Sequence, residues 1–285
     1  MVVRSLAIIG AGTMGAGIAQ VAAEAGYEVR LGDVGEDFLE KALGTIRKFV
    51  GRKVEKGEIS QGVSEEILSR IKPTTDLTAA VAGADLILEA IPENIEMKRN
   101  LFRKLGSRTP PETILASNTS TLSITEIGAA TNRAQKVVGM HFFNPAPVMK
   151  LVEVVKGEKT SEETVEIASG VCQRMGKTPI VVKDIPGFIV NRFLGLLYNE
   201  AANLVYRGVA SPEDIDTAMR LGANHPMGPL QIADLAGVDV VLAALEAVYA
   251  ATKEERYKPC LLFAEMVKQG KLGRKTGEGF YHYQR

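Results

Sequence analysis

The sequence predicts an α/β fold in two parts, a doubly wound sheet followed by an all-α domain. Three observations carry this expectation. Short apolar runs alternate with helical patterns from Leu6 to Val182, and the first run turns into a helix through Gly10-Ala11-Gly12-Thr13-Met14-Gly15. Beyond Lys183-Asp184-Ile185-Pro186-Gly187 the alternation stops and only helical periodicity remains. The domains are therefore expected at residues 1–185 and 186–285.

Leu6-Ala7-Ile8-Ile9 has the character of a buried strand, too short and too directly followed by the Gly-rich turn to be a signal peptide. A helical pattern through Ile18, Ala19, Val21 and Ala22 stops at Gly26. The next strand, Tyr27-Glu28-Val29-Arg30-Leu31, ends at Gly32-Asp33. This strand–GxGxxG–helix–strand–Asp unit, with the acid 18 residues after Gly15, has the spacing of a Rossmann-type dinucleotide site. Gly10 allows the tight turn, Gly12 lets backbone approach a pyrophosphate, and Gly15 lets the helix pack closely. Asp33 is expected to hydrogen-bond the adenosine ribose and to repel a 2′-phosphate, which favours NAD over NADP.

Residues 36–70 predict two charged amphipathic helices broken near Gly57, with Arg47, Lys48, Arg52, Lys53 and Lys56 concentrating positive charge. On these residues alone a solvated helix face is the simpler account. Thr75-Asp76-Leu77 looks like a helix cap. Strands are expected at 84–91 and 113–117, the second leading into the polar turn Asn118-Thr119-Ser120-Thr121. Turns at the carboxyl ends of strands line the ligand crevice of such sheets, so Ser120 is either a site residue or the cap of a helix over 121–128.

The chemistry is expected between residues 137 and 155. His141 ends the apolar run from Val137, and Glu153 interrupts Leu151-Val152-Glu153-Val154-Val155. A carboxylate within a β-branched run is costly to bury unless paired, and a strand-end His is a natural partner. Such a Glu would orient the imidazole and favour its protonated form, as a general acid–base requires. The alternative is a satisfied core His and a solvent-facing edge Glu.

A helix over 161–175 and a strand from Thr178 to Val182 complete the alternation. Residues 188–207 predict one long helix, apolar around most of its circumference, as for a helix inside a domain or a dimer. Asn191 in its first turn is either structural or directed toward the ligand. Ser211-Pro212-Glu213 opens a further helix, and others are expected over about 228–252 and 259–269, before a Gly-rich basic tail at 273–281.

Composition narrows the function. The 285 residues carry 34 basic and 34 acidic side chains, which argues against nucleic acid or an anionic membrane as the main partner. Cys172 and Cys260 fit a reducing compartment without a disulfide framework, and a cytoplasmic setting is expected. Three scattered His residues do not suggest a metal site.

Together these pieces resemble the 3-hydroxyacyl-CoA dehydrogenase family over the whole chain. The resemblance rests on the Gly10–Gly15 turn, Ala90-Ile91-Pro92-Glu93-Asn94, Ala116-Ser117-Asn118-Thr119-Ser120 and Met140-His141-Phe142-Phe143-Asn144-Pro145. It extends to Pro186-Gly187-Phe188-Ile189-Val190-Asn191-Arg192, Pro226-Met227-Gly228-Pro229 and the tail from Gly273 to Tyr281. It implies NAD-dependent interconversion of short-chain 3-hydroxyacyl-CoA and 3-oxoacyl-CoA, such as 3-hydroxybutyryl-CoA and acetoacetyl-CoA. His141 would then be the general acid–base, Glu153 its orienting partner, and Ser120 and Asn191 contacts to the substrate oxygen and the nicotinamide region. Glu93, Lys98, Asn144 and Lys275 would contact NAD beside Thr13, Met14 and Asp33, while Arg52, Lys53 and Lys56 would meet the CoA phosphates. A homodimer through the helical domain is also implied. One departure is Gly222-Ala223-Asn224-His225, where the family commonly has a hydrophobic residue before the Pro. Two other readings stand beside this one: a dehydrogenase of a hydroxy acid or sugar acid without CoA, and a crystallin-like structural relative, which would have no need of Ser120, His141, Glu153 and Asn191 together.

Overall fold

The computed structural model describes residues 2–284; Met1 and Arg285, the outer ends of the two expected domains, lie outside the described residues. The chain divides into two compact units, Met1–Ile185 and Pro186–Arg285.

The first unit is built on an eight-stranded sheet: β1 (Ser5–Ile9), β2 (Glu28–Gly32), β3 (Ile71–Thr74), β4 (Leu86–Glu89), β5 (Ile114–Ser117), β6 (Val137–Phe142), β7 (Leu151–Lys156) and β8 (Thr178–Lys183). The strand order is β3-β2-β1-β4-β5-β6-β7-β8. Every neighbouring pair is parallel except β6 and β7, which run antiparallel. The order reverses direction between β1 and β4, and at such a switch point the connections leave toward opposite faces of the sheet, which places a crevice outside the carboxyl ends of the strands.

Helices α1 (Thr13–Glu24), α2 (Glu36–Glu55), α3 (Gln61–Ser69), α4 (Leu77–Val81), α5 (Ile95–Arg108), α6 (Ile124–Ala129) and α7 (Glu162–Arg174) accompany the sheet. β4 and β5 are buried at every residue, which is why they carry near-continuous apolar runs and no alternation. The core spreads from Leu6, Ile8 and Ile18 through Leu86, Leu88 and Ile114 to Val138, Met140, Val152 and Val154.

Two local expectations are corrected here. β3 was not anticipated, since Ile-Lys-Pro-Thr is short and contains a Pro. It is tolerated because β3 is an edge strand, with Pro73 beside Leu31. The helix after β5 starts at Ile124, not 121, and Ser123 caps it by accepting from the Glu126 amide. Ser120 is therefore not its cap.

The second unit consists of α8 (Val190–Tyr206), α9 (Pro212–Gly222), α10 (Pro229–Ala236), α11 (Val238–Thr252) and α12 (Leu261–Lys268). Its core gathers Tyr198, Ala202, Ala233, Val238, Leu245, Phe263 and Met266. The helix expected over 228–252 is two helices bent by 97°, parted at Gly237. α8 starts later than expected because Phe188 holds φ +47°, a left-handed conformation that a bulky side chain rarely adopts. Asn224 at φ +55° terminates α9, with the His225 amide bonded back to the Met219 carbonyl. The departure at 222–225 thus includes a helix stop.

The tail is fastened by two fully buried carboxylates. Asp234 accepts from the Phe280 and Tyr281 amides and the Tyr283 hydroxyl; Asp216 accepts from the Leu230 and Gln231 amides and the Tyr281 hydroxyl. α8 is largely half-buried within the chain, and Phe193 on it is 72% exposed. Among the described residues no single helix is long and apolar enough to cross a membrane.

Candidate active site

The β1–α1 turn is shaped by contacts that leave no room for side chains. Gly10 holds φ +107° and donates to the Gly32 carbonyl at 2.8 Å, and a Cβ on it would lie 2.6 Å from the Ala90 carbonyl oxygen. A Cβ on Gly15 would fall 1.7 Å from the Gly10 carbonyl oxygen, so α1 can press against the turn only with glycine there. At Gly12 no atom beyond its chain neighbours lies within 4 Å of such a Cβ, so packing makes no demand for glycine there. A ligand approaching the backbone does.

α1 begins with no side-chain cap and no acidic residue in its first turn, so no side chain of the helix itself compensates its positive end. Thr13 and Met14 form that first turn. At the carboxyl end of β2, Asp33 accepts from the Ala11 amide at 2.6 Å and the Val34 amide at 2.7 Å. This ties the acid to the Gly-rich turn. A helix start suited to pyrophosphate and a fixed carboxylate at ribose distance along the chain fit NAD.

At the other end of the sheet, the antiparallel register sets His141 directly opposite Glu153. His141 Nδ1 lies 2.8 Å from Glu153 Oε2, with the residues 5% and 1% exposed. The pair is a consequence of strand pairing: both side chains stand on the same face of the sheet at adjacent positions. Phe143 tilts its ring against the imidazole at a centroid distance of 4.5 Å. Asn118 Oδ1 accepts from the Phe142 amide at 2.9 Å and so ties the end of β6 to the turn after β5.

That turn is itself held by a carboxylate. Glu93 Oε1 accepts from the Thr119 hydroxyl at 2.6 Å, the Ser120 amide at 2.9 Å and the Thr121 amide at 3.1 Å. The Ser120 hydroxyl lies 3.2 Å from the same oxygen. Burial pushes the Glu93 carboxyl up, but Lys98 and these donors outweigh it and hold its pKa below the ordinary value.

Lys98 is 1% exposed. Its ammonium reaches Glu89 at 2.5 Å, the Ile91 carbonyl at 3.1 Å and Glu93 at 3.4 Å. Glu89 ends β4 with no exposure at all and also accepts from the Ser117 hydroxyl and the Ile91 amide. Burial raises its pKa, against the pull of Lys98 and these hydrogen bonds.

The remaining expected residues fall in several places. Asn144 is exposed two residues past β6, before the turn whose Ala146 and Met149 carbonyls accept from the buried Lys177 ammonium. Arg52 and Lys53 are in the last turn of α2 and Lys56 follows it. Lys53 is paired with Glu24 at 2.7 Å, and the Arg52 guanidinium lies 5.7 Å from the Phe49 ring centroid. In the second unit, Asn191 is half-buried in the first turn of α8, and Lys275 pairs with Asp239 at 2.5 Å. Among the described residues no group of three or more His, Cys, Asp or Glu side chains could hold a metal ion.

Sequence reasoning missed Glu89, Ser117, Asn118 and Phe143 as parts of this arrangement. Glu89 carried a usable signal: it is a carboxylate closing the apolar run Leu86-Ile87-Leu88, the same anomaly that drew attention to Glu153.

Residues 5–185 match the model of the 3-hydroxyacyl-CoA dehydrogenase NAD binding domain, and residues 187–283 match that of the 3-hydroxyacyl-CoA dehydrogenase C-terminal domain. A probable 3-hydroxybutyryl-CoA dehydrogenase of Bacillus subtilis is 48% identical over 284 residues, covering 100% of this chain and 99% of the relative. The human mitochondrial hydroxyacyl-coenzyme A dehydrogenase is 44% identical over 290 residues, covering 99% of this chain and 92% of the relative. The crystal structure of (S)-3-hydroxybutyryl-CoA dehydrogenase from Ralstonia eutropha superposes with a TM-score of 0.97 at 42% identity, each chain covered in full. With both domains matched in order and a dinucleotide turn that fits its cofactor, the chain belongs to the 3-hydroxyacyl-CoA dehydrogenase family and is an NAD-dependent oxidoreductase of it.

Proposed function

We propose that the protein interconverts 3-hydroxybutyryl-CoA and acetoacetyl-CoA with His141 as the general acid–base. The observation that carries this is the buried His141–Glu153 pair at 2.8 Å, set by strand register. The substrate assignment follows the names of the relatives at 42–48% identity.

When bound, NAD supplies the acceptor for the hydride that leaves C3 of the hydroxyacyl group. The protein's part is the proton. With Nδ1 donating to Glu153, the imidazole exchanges the C3 hydroxyl proton through Nε2. In oxidation His141 takes that proton as the C3–H electron pair departs; in reduction the imidazolium returns it to the forming alkoxide. Glu153 holds the ring in the required tautomer and supplies negative charge beside the imidazolium. Ser120 and Asn191 contact the substrate oxygen and the nicotinamide region, and Glu93 and Lys98 shape the turn that carries Ser120. Glu93, Lys98, Asn144 and Lys275 are assigned to the cofactor, and Arg52, Lys53 and Lys56 to the CoA phosphates.

The protein acts in the cytoplasm as a homodimer through its helical unit. The exposed Phe193, Val240 and Leu261 of that unit and the two buried free thiols support this reading. The test is NADH oxidation followed by absorbance with acetoacetyl-CoA, repeated with NADPH and with free acetoacetate. Turnover only with NADH and the CoA thioester is expected; equal turnover of free acetoacetate would favour a hydroxy-acid dehydrogenase instead.

A further inference from the structure

Beneath Ser120 five side chains close a ring. Glu89 Oε2 accepts from the Ser117 hydroxyl at 2.6 Å, and Ser117 Oγ accepts from the Thr119 amide at 3.2 Å. The Thr119 hydroxyl donates to Glu93 at 2.6 Å, Glu93 lies 3.4 Å from the Lys98 ammonium, and Lys98 returns to Glu89 at 2.5 Å. Two arms thus leave Glu89, one through Ser117 and one through Lys98 and Glu93. Both end on residues 119–121.

Three features separate this ring from ordinary core bonding. Glu89 and Lys98 are 0% and 1% exposed, so the charges are retained at a desolvation cost that a pair of apolar residues would avoid. Glu89 joins three elements, since its partners sit at the end of β4, the end of β5 and within α5. Its two oxygens take three donors, from the residue two past β4, from the last residue of β5 and from the first turn of α5.

We infer that Glu89 is a positioning residue for the reaction, acting with Ser117 through both arms of the ring to hold Ser120. This rests on Ser120 touching the substrate oxygen, as proposed above. A carboxylate is required because every partner of Glu89 is a donor. A Gln in its place presents an NH2 group to one of them. If that group faces Ser117, it competes with the Thr119 amide for Ser117 Oγ and leaves the Ser117 hydroxyl proton without its acceptor. The turn then shifts by a fraction of an ångström, and a 1 Å misplacement near the chemistry can cost about a hundredfold.

The experiment compares Ser117→Ala and Glu89→Gln with Ser120→Ala and with Ser117→Ala/Ser120→Ala, in the acetoacetyl-CoA assay. Ser117→Ala is neutral and small, so it remains informative where Glu89→Gln fails to fold. The expected result is a kcat about tenfold lower for Ser117→Ala, with its NADH affinity by fluorescence within about threefold of wild type, and a kcat lower again for Glu89→Gln, whose contact with Lys98 also lets NADH affinity fall. In the Ser120→Ala background Ser117→Ala should cost less than about twofold, because its route to the chemistry is already gone. A purely structural role would give equal losses in both backgrounds and a fall in melting temperature to match, and would overturn the inference. So would unchanged kcat in Ser117→Ala and Glu89→Gln while Ser120→Ala is impaired. An inactive wild type, or a Ser120→Ala variant as active as wild type, would overturn the underlying reading and this inference with it.

Discussion

Around the β1–α1 turn the groups offered to a ligand are backbone amides, placed by the absence of side chains at Gly10 and Gly15. Along β6 and β7 they are side chains, placed by an antiparallel register that puts His141 opposite Glu153. In the proposed reaction the first arrangement recognises a charge and changes nothing, while the second gains and loses a proton. A phosphate is satisfied by any correctly spaced N–H, whereas acid–base work needs a titrating ring, a fixed tautomer and a partner of defined charge. The contrast also predicts how each end fails: one by steric intrusion, the other by loss of a chemical group at constant shape.

The sharpest test of that contrast is His141→Gln. It should lower kcat by about two to four orders of magnitude, the range for loss of a general acid–base, while NADH still binds by fluorescence titration. Gly15→Ala should do the reverse. Its Cβ would collide with the Gly10 carbonyl, so NADH affinity should fall by about a hundredfold and the melting temperature should drop, whatever kcat remains at saturation. A Gly15→Ala enzyme with wild-type NADH affinity would show that the turn tolerates rearrangement.

Glu153→Gln keeps a hydrogen-bonding group but not the charge, and should lower kcat by about ten- to a hundredfold. In the proposed mechanism both residues serve one proton transfer, so the double variant should be little worse than His141→Gln alone. Additive losses would assign Glu153 to the fold, and thermal melts of each variant would show it.

Smaller effects should come from the rim. Asp33→Ser with Val34→Arg should shift the NADH to NADPH preference by about tenfold or more toward NADPH, as expected for removing a charged acceptor. Val34 is 92% exposed, so the new guanidinium has room. Smallest of all, Arg52→Ala with Lys56→Ala should raise the acetoacetyl-CoA KM about fivefold and flatten its salt dependence, with NADH affinity unchanged. Lys53 is left out because its pairing with Glu24 would confound the reading.

The fold class was open to sequence reasoning because buried parallel strands must be apolar and their turns must carry glycine. What escaped was structure whose cause is elsewhere in the chain. β3 holds its Pro only because β2 offers an edge, and the break at Gly237 interrupts an apolar pattern that continues on both sides. Ser123, not Ser120, caps α6; both are serines shortly before the apolar residues of the helix, and the observed hydrogen bond separates them. At the site, the proximity of His141 to Glu153 followed from two runs short enough to pair. The ring through Glu89 did not, because its members come from three elements and no spacing along the chain brings them together.

The two cysteines give the molecule a further property. Cys172 lies on α7 with no exposure, its thiol pushed up to about 12 by burial, and Cys260 precedes α12, nearly as deep and likewise raised. One belongs to the sheet unit and the other to the helical unit. Neither presents a thiolate while its surroundings are closed, so alkylation must wait for local opening. The rate at which each sulfur is modified, resolved by peptide mass, therefore reports the opening free energy of its own unit without any introduced label.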